Sequence, residues 1–295
     1  MRLRYSRNLR NGLLFVSPWL VGLTVFNLWP LARSLYFSFC DYSVLNPPIF
    51  IGLGNYSDLW DDPLLMVSLK NTILYAAVAV PIGMLVSMAL ALLLNGPIIG
   101  RSFFRAVVFL PSLIPLVAMA VLWRGMFNGE YGIINFFLSR VGIDGPNWLG
   151  DSKWMKPALL LMGLWGTGNS VVLYLAGLQE VPRNLYEAAQ IDGSNWLQTT
   201  LHVTLPSISP VIYFNLMISI IFVLQFFVTP YVVFDPDGGT GRSALFYSMH
   251  LINEGFVSLR MGYACAMAWV LFVMIAALTA LMHGLTRSRI YYGGL

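Results

Sequence analysis

The residues of this chain best placed to do chemistry lie between Leu185 and Pro206, in LYEAAQIDGSNWLQTTLHVTLP. Their types suit docking rather than catalysis. Glu187 offers a charge that a basic group on a partner can pair with. Ala188 and Ala189 allow close approach by another surface. A connection between neighbouring helices normally takes about 2–8 residues, and this polar segment between two apolar stretches is far longer. Catalytic patterns are lacking elsewhere. His202, His250 and His283 are scattered and no HExxH occurs, whereas a metal site needs three or four converging ligands. Ser170 and Ser219 have no neighbouring His or Lys to activate them. No GxxxxGK precedes a Ser or Thr, so this chain carries no phosphate-binding loop. If ATP powers it, another chain hydrolyses the ATP.

The elements that must position the segment are membrane helices. The chain is 58% hydrophobic and 10% charged, with mean hydropathy +0.72, against about 25% charged for an ordinary soluble domain. Apolar runs at about 12–32, 72–95, 106–126, 157–178, 206–229 and 262–285 are each long enough to cross a hydrocarbon core of about 30 Å. The expectation is an all-α membrane protein with six transmembrane helices, forming one transmembrane domain over residues 1–295. The first run is too long for the apolar part of a secretory signal and ends in FNLWP, an interfacial aromatic anchor.

Lysine and arginine set the expected orientation. With the N-terminus cytoplasmic, segments 1–11, 96–105, 179–204 and 286–295 carry nine basic residues in 57 positions, while the outer loops carry seven in 101. That density places both termini inside. The pI near 9.1 then reflects topology, and no nucleic-acid partner is needed. Cys40 and Cys265 read as two unpaired thiols. The six runs contain no Asp, Glu or Lys; Arg124 sits at an outer end and Lys70, Lys153 and Lys156 fall outside. An ion-coupled carrier would keep ionisable residues within the bilayer.

The runs do hold helix breakers and polar groups. Pro81 lies mid-span in the second, Pro111 and Pro115 interrupt the third, and Gly166, Gly168, Asn169 and Ser170 fall in one turn of the fourth. Gln225 comes late in the fifth. Such groups must face protein or a water-filled path. In the polar segment, Pro182 suits the first turn of a helix and Gly193 can end it in a left-handed conformation. Ser194 can cap a second helix carrying Trp196, Leu197 and Leu201. With one Arg against Glu180, Glu187 and Asp192, the segment fits a protein partner better than a lipid surface.

The segment resembles the EAA signature of membrane subunits of binding-protein-dependent ABC importers. That signature is EAA, three residues, Gly, nine residues, Ile, any residue, Leu-Pro; here it reads Glu187-Ala188-Ala189, Gly193, Val203, Leu205-Pro206. Only Ile is replaced, by Val. The flanking LAGLQEVPRNLYEAAQIDG is similar to the carbohydrate branch, the maltose, glycerol-phosphate and lactose-type first permeases. The likeness extends from LLFVSPWLVGLTVFNLWPLARSLYFSF through FFRAVVFLPSLIP to RMGYACAMAW. Many relatives have a GGP turn before the last span, where this chain has Asp235 to Gly241, FDPDGGTG including Phe234.

The resemblance implies a type I ABC importer permease fold in a bacterial inner membrane. It implies a second permease subunit, a dimer of cytoplasmic ATPase subunits binding ATP and Mg, and an extracytoplasmic solute-binding protein. This chain would be no enzyme and hold no cofactor or metal of its own. Glu187, Ala188, Ala189, Asp192, Gly193, Leu205 and Pro206 would form the ATPase-coupling contact. A carbohydrate would pass near the membrane midplane, where Trp165, Asn169, Tyr174, Asn215, Gln225 and Phe226 offer the aromatic faces and amides that suit sugar rings and hydroxyls. LWGTGNSVVLYLAGLQ and the C-terminal SRIYYGGL lean toward an oligosaccharide, with an acidic one of the alginate type as a further option. The alternative from a different class is a stand-alone secondary carrier or channel.

Overall fold

The computed structural model describes residues 2–287, with side chains from residue 11 onward. The C-terminal SRIYYGGL stretch lies outside the described residues. In chain order the helices are α1 (Arg2–Leu23), α2 (Trp29–Ser38), α3 (Gly54–Asp61), α4 (Pro63–Asn95), α5 (Arg101–Phe109), α6 (Leu116–Met126), α7 (Ile133–Arg140) and α8 (Ser152–Trp165). They continue as α9 (Gly168–Glu180), α10 (Arg183–Ile191), α11 (Trp196–Thr199), α12 (Leu205–Ser207), α13 (Ser209–Leu224), α14 (Val228–Phe234), α15 (Tyr247–Ile252) and α16 (Met261–Thr286). A short antiparallel pair, β1 (Cys40–Asp41) and β2 (Ile49–Phe50), joins Cys40 to Phe50 and Asp41 to Ile49. The expectation of helices alone missed this pair.

Four helical stretches are long and apolar enough to cross a membrane unbroken: Asn11–Ser38, Pro63–Asn95, Ser209–Phe234 and Met261–Thr286. The other two expected spans are bent pairs. Arg101–Leu113 meets Leu116–Met126 at 100°, and Ser152–Trp165 meets Gly168–Glu180 at 48°. The first break follows from proline: Pro115 is the N-cap just before α6, and Ile114 before it is extended at φ −75°, ψ 130°, as a residue preceding proline prefers. The span expected at 106–126 is therefore no straight rod. The second break falls at Gly166 and Thr167, with ψ of 12° and 4°. Counting each bent pair as one crossing brings the total to six.

The chain packs as two units. One comprises Met1–Asp62 and Leu251–Phe272. Within it, Asn55 Nδ2 donates to the Ser38 and Cys40 carbonyls at 2.9 and 2.8 Å, holding α3 against the hairpin. The Tyr263 hydroxyl donates to Asp62 at 2.7 Å, and Arg260 pairs with Glu254 at 3.1 Å while lying over the Tyr263 ring. Cys40 and Cys265 are free thiols, as expected. Phe15, Trp19, Phe26 and Trp29 are exposed along α1, the following π-helical turn and α2, so this apolar stretch needs lipid or another chain around it.

The other unit comprises Pro63–His250 and Val273–Leu295. Here α4 packs along α9 and α13, and α6 along α14. One core gathers Tyr75, Phe127, Met155, Leu159, Met162, Phe234 and Phe246. Asn71 ties α4 to the loop after α14, donating to the Arg242 and Leu245 carbonyls at 2.9 Å each and accepting from Lys156 Nζ at 2.9 Å. A second core joins Ala91 and Leu94 of α4, Val171, Tyr174, Leu175 and Leu178 of α9, and Ile208.

Candidate coupling segment and transmembrane cavity

The polar segment folds as two short helices around a glycine turn. Pro182 stands just before α10, at φ −60°, ψ 133°, one position earlier than the helical turn expected for it. At the far end the Ser194 N–H donates to the Ala189 carbonyl at 2.9 Å and the Gly193 N–H to Gln190 at 3.1 Å. With Gly193 at φ +76°, this is a Schellman termination. The second helix is capped by Asn195 rather than Ser194. Asn195 Oδ1 accepts from the Gln198 N–H, and Gln198 Oε1 accepts from the Asn195 N–H, each at 2.9 Å. Both residues are needed for this reciprocal box, and the sequence offers the amide pair only with Asn195 at the cap. A π-helical turn, Thr200–Thr204, then leads into α12.

The EAA residues divide by side. Glu187, Ala188, Asp192, Gly193 and Pro206 are exposed, whereas Ala189 is buried at 7% exposure. Ala189 thus serves close packing within the chain, and Ala188 remains the small residue offered outward. Around Glu187 the segment displays Ile191, Trp196, Leu197 and Leu201, exposed at 87, 71, 56 and 50%. The inner side is anchored. Val181 is part of the α4–α9 core, and Tyr186 and Leu205 pack against it. The Tyr186 hydroxyl lies 3.3 Å from Thr204 Oγ1. Packed side chains therefore link the exposed side to α9 and α4.

A cavity of about 420 Å³ lies among α4, α8, α9 and α13, within the range of small-molecule sites. Asn169, Asn215 and Phe226 line it; Trp165, Tyr174 and Gln225 do not. Trp165 stands edge-on to Trp123 at 5.6 Å. Tyr174 is fully buried in the α4–α9 core. Gln225 is exposed at the C-cap of α13. The wall also includes Tyr75, Ser87, Thr167, Ser170 and Ser219. Tyr75 stacks on Phe226 with centroids 5.2 Å apart and planes within 10°. Ser170 Oγ donates to Asn215 Oδ1 at 3.1 Å, and Asn215 Nδ2 is buried without a hydrogen-bond partner among the described residues. Among the described residues, no Asp, Glu, Lys, Arg or His lines the cavity. Tyr75 and Ser87 had a legible signal: with Ala79 and Gly83 they repeat every four residues, which sets one face of a helix.

Residues 64–289 match the family described as binding-protein-dependent transport system inner membrane component. This chain belongs to that family. As such an inner-membrane component it is a multi-pass membrane protein, the permease part of an ABC transport system. It is similar to the probable ABC transporter permease protein YesP of Bacillus subtilis (strain 168), 34% identical over 98% of this chain and 96% of that one. It is 36% identical to the lactose transport system permease protein LacF of Rhizobium radiobacter, over 95% of each. Among solved structures it superimposes on a chain of a bacterial alginate ABC transporter in complex with an alginate pentasaccharide-bound periplasmic protein. That match has TM-score 0.83 and 22% identity, covering 96% of this chain and 97% of that chain. The likeness gives this inner-membrane component the type I ABC permease fold.

Proposed function

We propose that this permease is one half of the membrane channel of an ATP-driven importer for a neutral carbohydrate. The observation that carries the reading is the cavity. Its polar groups are two amides, four hydroxyls of Ser and Thr, and the Tyr75 phenol, beside the Tyr75–Phe226 aromatic wall. Hydroxyl and amide groups exchange hydrogen bonds with sugar hydroxyls, and aromatic faces pack on the apolar side of sugar rings. An anionic substrate would leave a charge in this space with no counter-charge among the described residues that line it, which is costly in a low-dielectric site. Relatives named for lactose, sulfoquinovosyl glycerol and arabinooligosaccharides support the carbohydrate class, and the uncharged lining favours neutral members over an alginate-type acid.

In this reading the chain acts as a single transmembrane domain of six crossings in a bacterial inner membrane, both termini cytoplasmic. A second permease subunit completes the pathway. A solute-binding protein delivers the sugar from outside, and a dimer of ATPase subunits holds ATP and Mg on the cytoplasmic side. The segment from Arg183 to Pro206 docks on an ATPase subunit through Glu187, Ala188, Asp192 and the exposed Ile191, Trp196 and Leu197, with Gly193, the buried Ala189 and the partly buried Leu205 holding its shape. Closure of the ATPase dimer pushes the segment, and the Val181–Tyr186–Leu205 anchor turns that push into movement of α9 and α4 around the cavity.

The test is ATPase activity of the reconstituted complex at saturating binding protein, across neutral and acidic oligosaccharides. Stimulation by a neutral sugar is the expected result. Stimulation by acidic sugars alone would overturn the substrate class, and transport by the purified chain without an ATPase would overturn the whole reading.

A further inference from the structure

A separate groove of about 220 Å³ runs where α9 meets α5 and the end of α4. On α9 it is walled by Gly168, Val171, Val172, Leu175, Ala176 and Gln179. These lie three and four apart, a single helical face extending about 16 Å at about 1.5 Å per residue. Val172 and Ala176 are exposed along it. The groove is apolar for most of its length and basic at one end.

The basic end is Arg105. Its Nη2 donates to the Leu94 carbonyl in the last turn of α4 at 3.2 Å, while its Nε is buried without a partner among the described residues. Arg101 lies one turn earlier on α5, at a spacing that puts the two guanidinium groups on one face. Neither arginine forms an ion pair among the described residues. The nearest acidic residue in sequence to this wall is the exposed Glu180, beyond Gln179, and it falls about 100° around the helix from Gln179. The groove therefore ends in positive charge at the same membrane surface as the coupling segment.

We propose that this groove binds one anionic phospholipid, its phosphate on Arg105 and Arg101 and the upper part of one acyl chain lying along α9. Guanidinium groups pair with phosphate oxygens through paired, charge-assisted hydrogen bonds, and basic pockets between membrane helices at the cytoplasmic side select anionic headgroups. The lining favours lipid over protein: one phospholipid brings an anionic phosphate for the basic end and an apolar chain for the rest of the groove. A free phosphate would satisfy the arginines and leave the apolar length uncovered. The proposal requires a membrane setting and is independent of the carbohydrate reading; only its assignment to the cytoplasmic leaflet rests on the proposed orientation.

The experiment is native mass spectrometry of the intact transporter complex after exposure to phosphatidylcholine vesicles with and without phosphatidylglycerol. Wild type is expected to retain phosphatidylglycerol in preference to phosphatidylcholine. Arg105→Gln should weaken that retention about fivefold, the share of one arginine near a membrane surface. Ala176→Trp fills the groove while leaving Arg105 and its Leu94 bond in place, so it decides the matter if Arg105→Gln assembles poorly; it too should lose the lipid. Leu93→Trp, at an exposed position outside the groove lining, should retain it. Equal retention in wild type and Ala176→Trp would overturn the proposal. So would absence of a phosphatidylglycerol preference in wild type, or capture of a protein subunit by a photocrosslinker at Val172.

Discussion

Replacing Gly193 isolates the geometry of the coupling turn from its contacts. Gly193 holds φ at +76°, and a Cβ built there meets nothing within 4 Å. Space is therefore no obstacle within the chain, and the cost of Gly193→Ala is conformational. A left-handed backbone costs an alanine about 1–2 kcal/mol. The lower entropy of alanine in the unfolded chain returns about 0.4–1 kcal/mol to overall stability, so the folded protein loses little. The turn itself does not share in that return, because its alternatives are other folded conformers of the same alanine. A shift of about 1.4 kcal/mol makes the Schellman turn about tenfold less favoured against frayed forms. Asparagine enters the left-handed region more readily than other side chains. The expected order for sugar-stimulated ATPase and uptake in proteoliposomes is Gly, then Asn, then Ala, with protein yield and melting temperature nearly unchanged. Asn is bulkier than Ala, so a purely steric contact with the ATPase would reverse the last two. That reversal, or full coupling in Gly193→Ala, would refute the argument.

Glu187→Lys should insert and assemble but lose coupled transport by tenfold or more, as expected for like charges facing a basic partner; unchanged ATPase stimulation would count against the docking contact. Asn215→Ala should lower uptake several-fold, because it removes the buried Nδ2 donor and the acceptor for Ser170 Oγ. Gln225→Ala, outside the cavity lining, should transport like wild type; equal loss in both would show that the cavity is not the path. Gly168→Val should destabilise the chain by more than about 2 kcal/mol, since a Cβ there would come within 2.7 Å of the Val108 carbonyl and 2.9 Å of Phe109 Cα. A thermal shift assay in detergent would read this directly, and a melting temperature unchanged from wild type would exclude such tight packing.

The division between what was legible in the sequence and what was not follows from the range of the forces involved. Apolar runs, basic clusters and a Gly at the end of a short helix are local features, so the membrane helices, the position of the two short helices α10 and α11 and the left-handed Gly193 could be read along the chain. The capping by Asn195 was also local, but Ser194 and Asn195 are equally able caps, and only the reciprocal bond with Gln198 separates them. Bend angles were not legible: Pro115 announced a break, but the 100° turn depends on what α5 and α6 pack against. The cavity was least legible. Asn169 and Asn215 come from helices far apart in sequence, and which side of α9 or α13 turns inward is decided by packing against α4. That packing buries Tyr174, leaves Gln225 exposed, and brings Tyr75 and Ser87 to the wall. Residue types and periodicity determined that this chain carries membrane-crossing helices and an exposed polar segment between two of them; three-dimensional packing decided which polar groups share a cavity, because those contacts join residues that no sequence spacing relates.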